Sequence, residues 1–180
     1  LDDFLKYRRT SDKPIYSHIC RYHELFRIGD FSIEPFETSH DANQPCGFII
    51  RENDLTFGYC TDTGVVTPDM HEMFRHCDAL VLESNHCPEM LQNGPYPESL
   101  KRRIRSKTGH LSNPAAARCL QTLGKDIPQV ILAHLSEVNN TPAKALSGAR
   151  EGLGLFFEEK MVVIATQCGT SCSCPQCIKL

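Results

Sequence analysis

Two continuous apolar runs, Ala79-Leu-Val-Leu82 and Val130-Ile-Leu-Ala133, constrain the fold more than any other feature of the sequence. A strand with water on one face alternates apolar and polar side chains. A run that is apolar at every position is a strand covered on both faces, and such strands belong inside a layered α/β protein. Upstream, Asp30–Phe36 does alternate, with Phe31, Ile33 and Phe36 set against Ser32 and Glu34. Gly47–Arg51 and Leu55–Cys60 read as two strands joined by the turn formers Glu52-Asn-Asp54. Thr67-Pro68 and Thr141-Pro142 each open a helix, with Thr as N-cap and Pro at the first helical position. The first of these carries Met70, Met73, Phe74 and Cys77 at helical spacing, with His71 and His76 outward. Gln92–Pro97 reads as a Gly/Pro loop, and Pro97 opens a helix to about Ser106. Another helix starts at Asn113-Pro114 and ends at Gly124, and Met161–Thr166 is a last strand. Leu1–Thr10 reads as the end of a helix and Pro14–Tyr16 as a short strand. The expected class is α/β, a β-rich first half followed by alternating helix and strand.

The chain has 180 residues, 41% of them hydrophobic, which is enough for one domain with a core. A net charge of -3 provides no global basic field, so any contact with nucleic acid must be a local patch. No run approaches the roughly 18 apolar residues of a membrane span, and no charged-then-apolar leader is present. The chain therefore reads as cytoplasmic, with reduced thiols and no membrane partner. Beginning at Leu1 rather than Met, it reads as a fragment.

Four of the strand-like runs lead to a residue able to do chemistry. Ser32–Phe36 leads to His40, the stretch Gly58-Tyr-Cys-Thr-Asp-Thr-Gly64 carries Asp62, Ala79–Glu83 leads to Asn85 and His86, and Val130–Ala133 leads to His134. Open sheets place their ligand crevice at the carboxyl ends of strands. Neutral imidazole nitrogens and carboxylates are ligands for zinc or manganese, and a carboxylate can bridge two ions about 3.5–4 Å apart. His40, Asp62 and His134 are thus candidate metal ligands, with Asp62 at the centre. Asn85, His86 and His110 either orient ligands, hold a phosphate or cap local structure. The run Lys101-Arg-Arg-Ile-Arg-Ser-Lys107 is either a solvated helix face or a grip on a phosphate backbone, in which case Arg102 and Arg103 bind substrate. The tail Cys168-x3-Cys172-x-Cys174-x2-Cys177 is either a separate metal site or a reactive tail.

Several motifs together carry a family resemblance. Ser39-His-Asp-Ala-x-x-Pro-x-Gly47, Thr61-Asp-Thr-Gly64 and Asp78-Ala-Leu-Val-Leu-Glu-Ser-Asn-His86 resemble the metallo-β-lactamase-fold hydrolases. Asn93-Gly-Pro-Tyr-Pro97, Leu100-Lys-Arg-Arg103, Gly109-His-Leu-Ser-Asn113, Leu132-Ala-His-Leu-Ser136 and Asn139-Asn140 are similar to its small bacterial YycJ/WalJ-type exonuclease branch. The resemblance runs from about Pro14 to Thr166. It implies an αββα sandwich, of which residues 1–167 supply the C-terminal two-thirds, with the first strands of the N-terminal sheet missing and 168–180 as a Cys-rich tail. It implies that His40 ligates one of two divalent ions, zinc or manganese, that His134 ligates the other, and that Asp62 bridges them. The implied reaction is hydrolysis of a phosphodiester in DNA by a metal-bound hydroxide.

The family's His-x-His-x-Asp-His signature does not occur in this chain. The expectation is therefore that the 180-residue chain binds metal weakly or not at all and is inactive alone. The full-length protein is expected to be the hydrolase. The rival readings are a hydrolase of another ester or thioester on the same fold, and a non-catalytic metal- or redox-binding protein built on the cysteine tail.

Overall fold

The computed structural model describes residues 19–158 and 161–166 together with the backbone of 177–179. The expected segments Leu1–Thr10 and Pro14–Tyr16 lie outside the described residues, as do Cys168, Cys172, Cys174 and the side chain of Cys177.

One eight-stranded sheet, ordered β1-β2-β3-β4-β5-β6-β7-β8, forms the frame. β1 (Phe26–Ile28), β2 (Phe31–Glu37), β3 (Cys46–Glu52) and β4 (Leu55–Cys60) form an antiparallel meander. From β4 onward the pairing is parallel, through β5 (Ala79–Glu83), β6 (Gln129–Ala133), β7 (Val162–Thr166) and β8 (Cys177–Lys179). The change follows from the connections. A short turn at Asn53 (φ 51) suffices between antiparallel strands, whereas parallel neighbours need a crossover. Helix Pro68–Phe74 makes the first crossover, three helices ending with Asn113–Leu123 make the second, and Pro142–Leu153 makes the third.

The continuous apolar runs are buried on both faces, as their composition requires. Leu80, Leu82, Val130, Leu132, Val162 and Ile164 face the helix layer and pack with Met70, Phe74, Leu120, Leu123, Ala149 and Leu153. Burial of each large aliphatic side chain contributes about 2 kcal/mol. On the opposite face, Val81, Ala133 and Ala165 form a smaller cluster with the half-buried Phe57 and Ile131. This helix layer on a mixed sheet agrees with the expected α/β class.

Several boundaries differ from the sequence reading. Thr67 caps its helix through the Met70 N–H at 3.3 Å, but the helix ends at Phe74, short of Cys77. His76 is exposed, whereas His71 is half-buried and its Nδ1 lies 3.9 Å from Cys119 Sγ. Pro88–Asn93 forms a short helix inside the segment read partly as loop. Only Leu91 of that helix is buried, so six residues leave too little periodicity to detect. The cap before Pro114 is Ser112, whose hydroxyl accepts from the Ala115 N–H, and Asn113 is the first helical residue. Strands β1 and β8 have three residues each, below the length at which alternation is legible.

Candidate functional site

The parallel register brings the strand ends level. Cys60 pairs with Leu82, and Glu83 with Ala133, so β4, β5 and β6 terminate along one edge. Asp62, Glu83 and His134 stand on that edge. Asp62 (φ 53) and His134 (φ 57) both take the left-handed conformation that side chains disfavour. Each marks the point where the chain leaves its strand. The Asn85 amide donates to the His134 carbonyl at 2.9 Å and fixes the second of these turns.

Glu83 is fully buried. Its Oε1 accepts from His134 Nδ1 at 2.7 Å and His110 Nδ1 at 2.8 Å, and its Oε2 accepts from the Thr63 N–H at 2.8 Å. Burial acts to raise its pKa, but hydrogen bonds from His110, His134 and Thr63 outweigh burial and hold it below the ordinary carboxylate range. The same bond raises the pKa of His134 against the effect of its own burial.

His40 completes a row of imidazoles, with ring centroids 5.0 Å from His40 to His110 and 5.3 Å from His110 to His134. His40 Nδ1 lies 2.9 Å from the Gly109 carbonyl. A carbonyl only accepts, so Nδ1 carries a proton, and in a neutral ring Nε2 is the nitrogen left with a lone pair. That Nε2 is 3.8 Å from Asp62 Oδ1. Glycine at 109 lets the chain pass close to the preceding helix end, because a Cβ there would stand 2.2 Å from the Arg103 carbonyl oxygen.

Donor atoms of Asp62, Glu83, His110 and His134 lie within 4.8 Å of one another, and this group could hold a metal ion. Its chemistry fits a divalent cation. Metal-ligating imidazoles usually donate their second N–H to a carboxylate or backbone carbonyl, and here Glu83 and Gly109 accept from the Nδ1 positions.

The residues expected from sequence fall into two groups. His40, Asp62, Asn85, His110, His134 and Arg103 share a cleft of about 530 Å³. His86 does not line this cleft. It is 2% exposed, lines a neighbouring cavity, and burial pushes its pKa down to about 4. Arg103 is held by Asp41, with Nη2–Oδ1 at 2.9 Å, and that bond lowers the Asp41 pKa to about 2. Arg102 is exposed and lines neither cavity.

Among the cations of the basic run Lys101 alone is buried, while Arg102, Arg103, Arg105 and Lys107 are exposed. Lys101 is buried and donates to the Gln92 carbonyl at 2.8 Å, while Arg105 donates to Gln92 Oε1 at 2.6 Å.

Sequence reasoning passed over Glu83. The available signal was an acid ending an apolar run, since such a group is buried and must find partners. It also passed over the amide pair of Asn113 and Asn140, which exchange bonds at 2.9 Å each. Asn140 Nδ2 further contacts the Ser84 carbonyl at 2.8 Å, tying the loop after β5 to the loop after β6. No helix among the described residues is long and apolar enough to cross a membrane.

Residues 1–135 match the model of the beta-lactamase superfamily domain. Exodeoxyribonuclease YycJ of Bacillus anthracis is 40% identical over 134 residues, covering 74% of this chain and 49% of that protein. Exodeoxyribonuclease WalJ of Streptococcus pneumoniae serotype 2 is 36% identical over 149 residues, covering 78% of this chain and 55% of that protein. The chain thus spans about half the length of the curated relatives it matches. Among solved structures, the metallo-beta-lactamase fold protein YhfI from Bacillus subtilis superposes with a TM-score of 0.65 at 17% identity, covering 92% of this chain and 58% of that one. Zn(2+)-bound PqqB from Methylobacterium extorquens gives a TM-score of 0.58 at 17% identity, covering 74% of this chain and 50% of that one. These two likenesses concern the fold.

Proposed function

The chain belongs to the beta-lactamase superfamily, and from that premise we propose that it supplies part of the active site of a metal-dependent phosphodiesterase acting on DNA. The observation that carries this reading is the convergence of Asp62 with three imidazoles whose Nδ1 positions face Glu83 or the Gly109 carbonyl. The names of the relatives, both exodeoxyribonucleases, favour a nucleic-acid substrate over another ester.

On this reading His40, Asp62 and His134 would hold two divalent ions, zinc or manganese. Ions bound there would activate water near neutral pH and offset phosphate charge. The chain's own residues do the rest. Glu83 keeps a negative charge beneath the imidazoles and holds the rings in orientation. His110, between His40 and His134 and bonded to Glu83, is positioned to hand a proton to the departing oxygen.

On this reading His40, Asp62 and His134 would be the ligands, while Glu83 would stay bonded to His110 and His134, which leaves fewer than three protein ligands for each of two ions. A catalytic zinc takes three protein ligands and a water. The remaining ligands therefore come from the rest of the whole protein, and the 180-residue chain alone binds metal weakly and does not hydrolyse DNA. Metal analysis of the purified chain and of the whole protein tests this. The expected result is two tightly held equivalents in the whole protein only. Two tightly held equivalents on the chain alone would overturn it.

A further inference from the structure

We propose that the cavity on the far side of His110 binds a phosphate of the DNA strand next to the one being cut. This assignment rests on the phosphodiesterase reading of the neighbouring cleft. The cavity holds about 570 Å³, and its walls include His86, Arg105, Lys107, His110 and Arg118 but no carboxylate. His110 stands in the walls of both spaces, so a strand held in one is within reach of the other.

Charge favours this placement. The cleft at Asp62 is lined by two acids, Asp62 and Glu137, and by one cation, Arg103, already paired with Asp41. It leaves the flanking charge of a polyanion unmet. In the neighbouring cavity Arg105 is tied to Gln92. The side chains of Lys107 and Arg118 are exposed and have no hydrogen bond or ion pair among the described residues.

A second observation points to a ligand. His86 is 2% exposed, lines this cavity, and its buried Nδ1 has no hydrogen-bond partner among the described residues. A buried unpaired ring nitrogen is costly, and in the tautomer that carries its proton on Nδ1 the ring is a donor that an anion's oxygens would pair. The nearby helix end does not explain the site. Its first N–H groups are consumed, Asn113 N by the His86 carbonyl at 2.9 Å and Ala115 N by Ser112. Recognition would come from Lys107, Arg118 and His86.

The test is fluorescence anisotropy with a labelled single-stranded DNA 12-mer and metal-free whole protein, titrated at several salt concentrations. The double variant Lys107→Gln/Arg118→Gln is compared with Lys125→Gln, an exposed control that lines neither cavity and also loses a positive charge. The double variant is expected to bind about 10-fold more weakly, with a salt slope shallower by about 1.4, the value for two contacts to a single strand. The control is expected to bind as the unmodified protein does. Thermal melting of each variant establishes that folding is retained, and neither cavity cation has a side-chain partner whose loss would unfold it.

Equal binding by double variant and control would overturn the proposal. So would binding of inorganic phosphate, followed by its effect on the His86 ring signals, without competition from the 12-mer. Cleavage of the 12-mer by the metal-loaded unmodified protein is a separate arm. Its absence would count against the phosphodiesterase reading, while the anisotropy result still decides the cavity.

Discussion

Glu83 Oε1 lies 2.7 Å from His134 Nδ1, joining a fully buried carboxylate to a residue held in the left-handed conformation. The ring orientation of His134 is therefore set from beneath by a group that water does not reach. Glu83→Gln keeps the shape, but removes the charge that holds His134 and His110. It is expected to weaken metal binding by the whole protein 10–100-fold, read by competition with a chelator. Glu83→Ala leaves two imidazoles and the Thr63 N–H unpaired and is expected to cost about 3 kcal/mol in urea unfolding.

His134 pays for its position with backbone strain. His134→Gly should be more stable than His134→Ala by about 1 kcal/mol, because glycine takes a positive φ freely. Both variants should lose metal. Thermal melts of the pair decide it, and a less stable glycine variant would contradict the strain.

Asn140 ties two loops behind the cleft through the Ser84 carbonyl at 2.8 Å, the Asn85 carbonyl at 3.1 Å and Asn113 Oδ1 at 2.9 Å. Asn140→Ala strands these buried groups and is expected to destabilise the fold by about 3 kcal/mol. Asn140→Asp should be no better, since a carboxylate cannot donate to the two carbonyls. Chemical denaturation of both variants is the check.

His86 makes stability depend on pH. In the folded protein it stays neutral down to about pH 4, whereas the unfolded chain protonates it below about 6.5. The unfolded state binds more protons between those values, so stability falls as pH falls through that window. The loss from this residue between pH 7 and pH 5 is about 2 kcal/mol. His86→Leu should flatten the profile, and urea midpoints for both proteins at the two pH values measure it.

The buried thiols should be inert. Burial pushes Cys77 up to about 11 and Cys119 up to about 12, and raises Cys60 well above the usual range. A disulfide reagent at pH 8 should label the exposed Cys46 while leaving Cys60, Cys77 and Cys119 untouched until denaturant is added. Mass spectrometry of tryptic peptides identifies the labelled sites.

The sequence by itself determined what strong local physics encodes. Ala79–Leu82 and Val130–Ala133 had to be interior strands because every side chain in them is apolar. Thr67-Pro68 and Thr141-Pro142 had to open helices, because threonine supplies the cap and proline needs no donor. The strand-end position of His134 followed from the second of these runs and those of His40 and Asp62 from the strands read at Asp30–Phe36 and Leu55–Cys60, and the motifs around them carried the family. What only the tertiary structure decided were pairings between residues far apart in the chain. Glu83 is an ordinary strand-end acid until β5 and β6 align and the loop after Arg105 folds over them, bringing two imidazoles to one oxygen. Arg103 reads as a free phosphate grip until Asp41, 62 positions away, takes its guanidinium. Composition and periodicity act over a few residues, whereas burial and charge pairing act through space. The scaffold was therefore legible in the chain, and the partners within the site became so only once the strands were level.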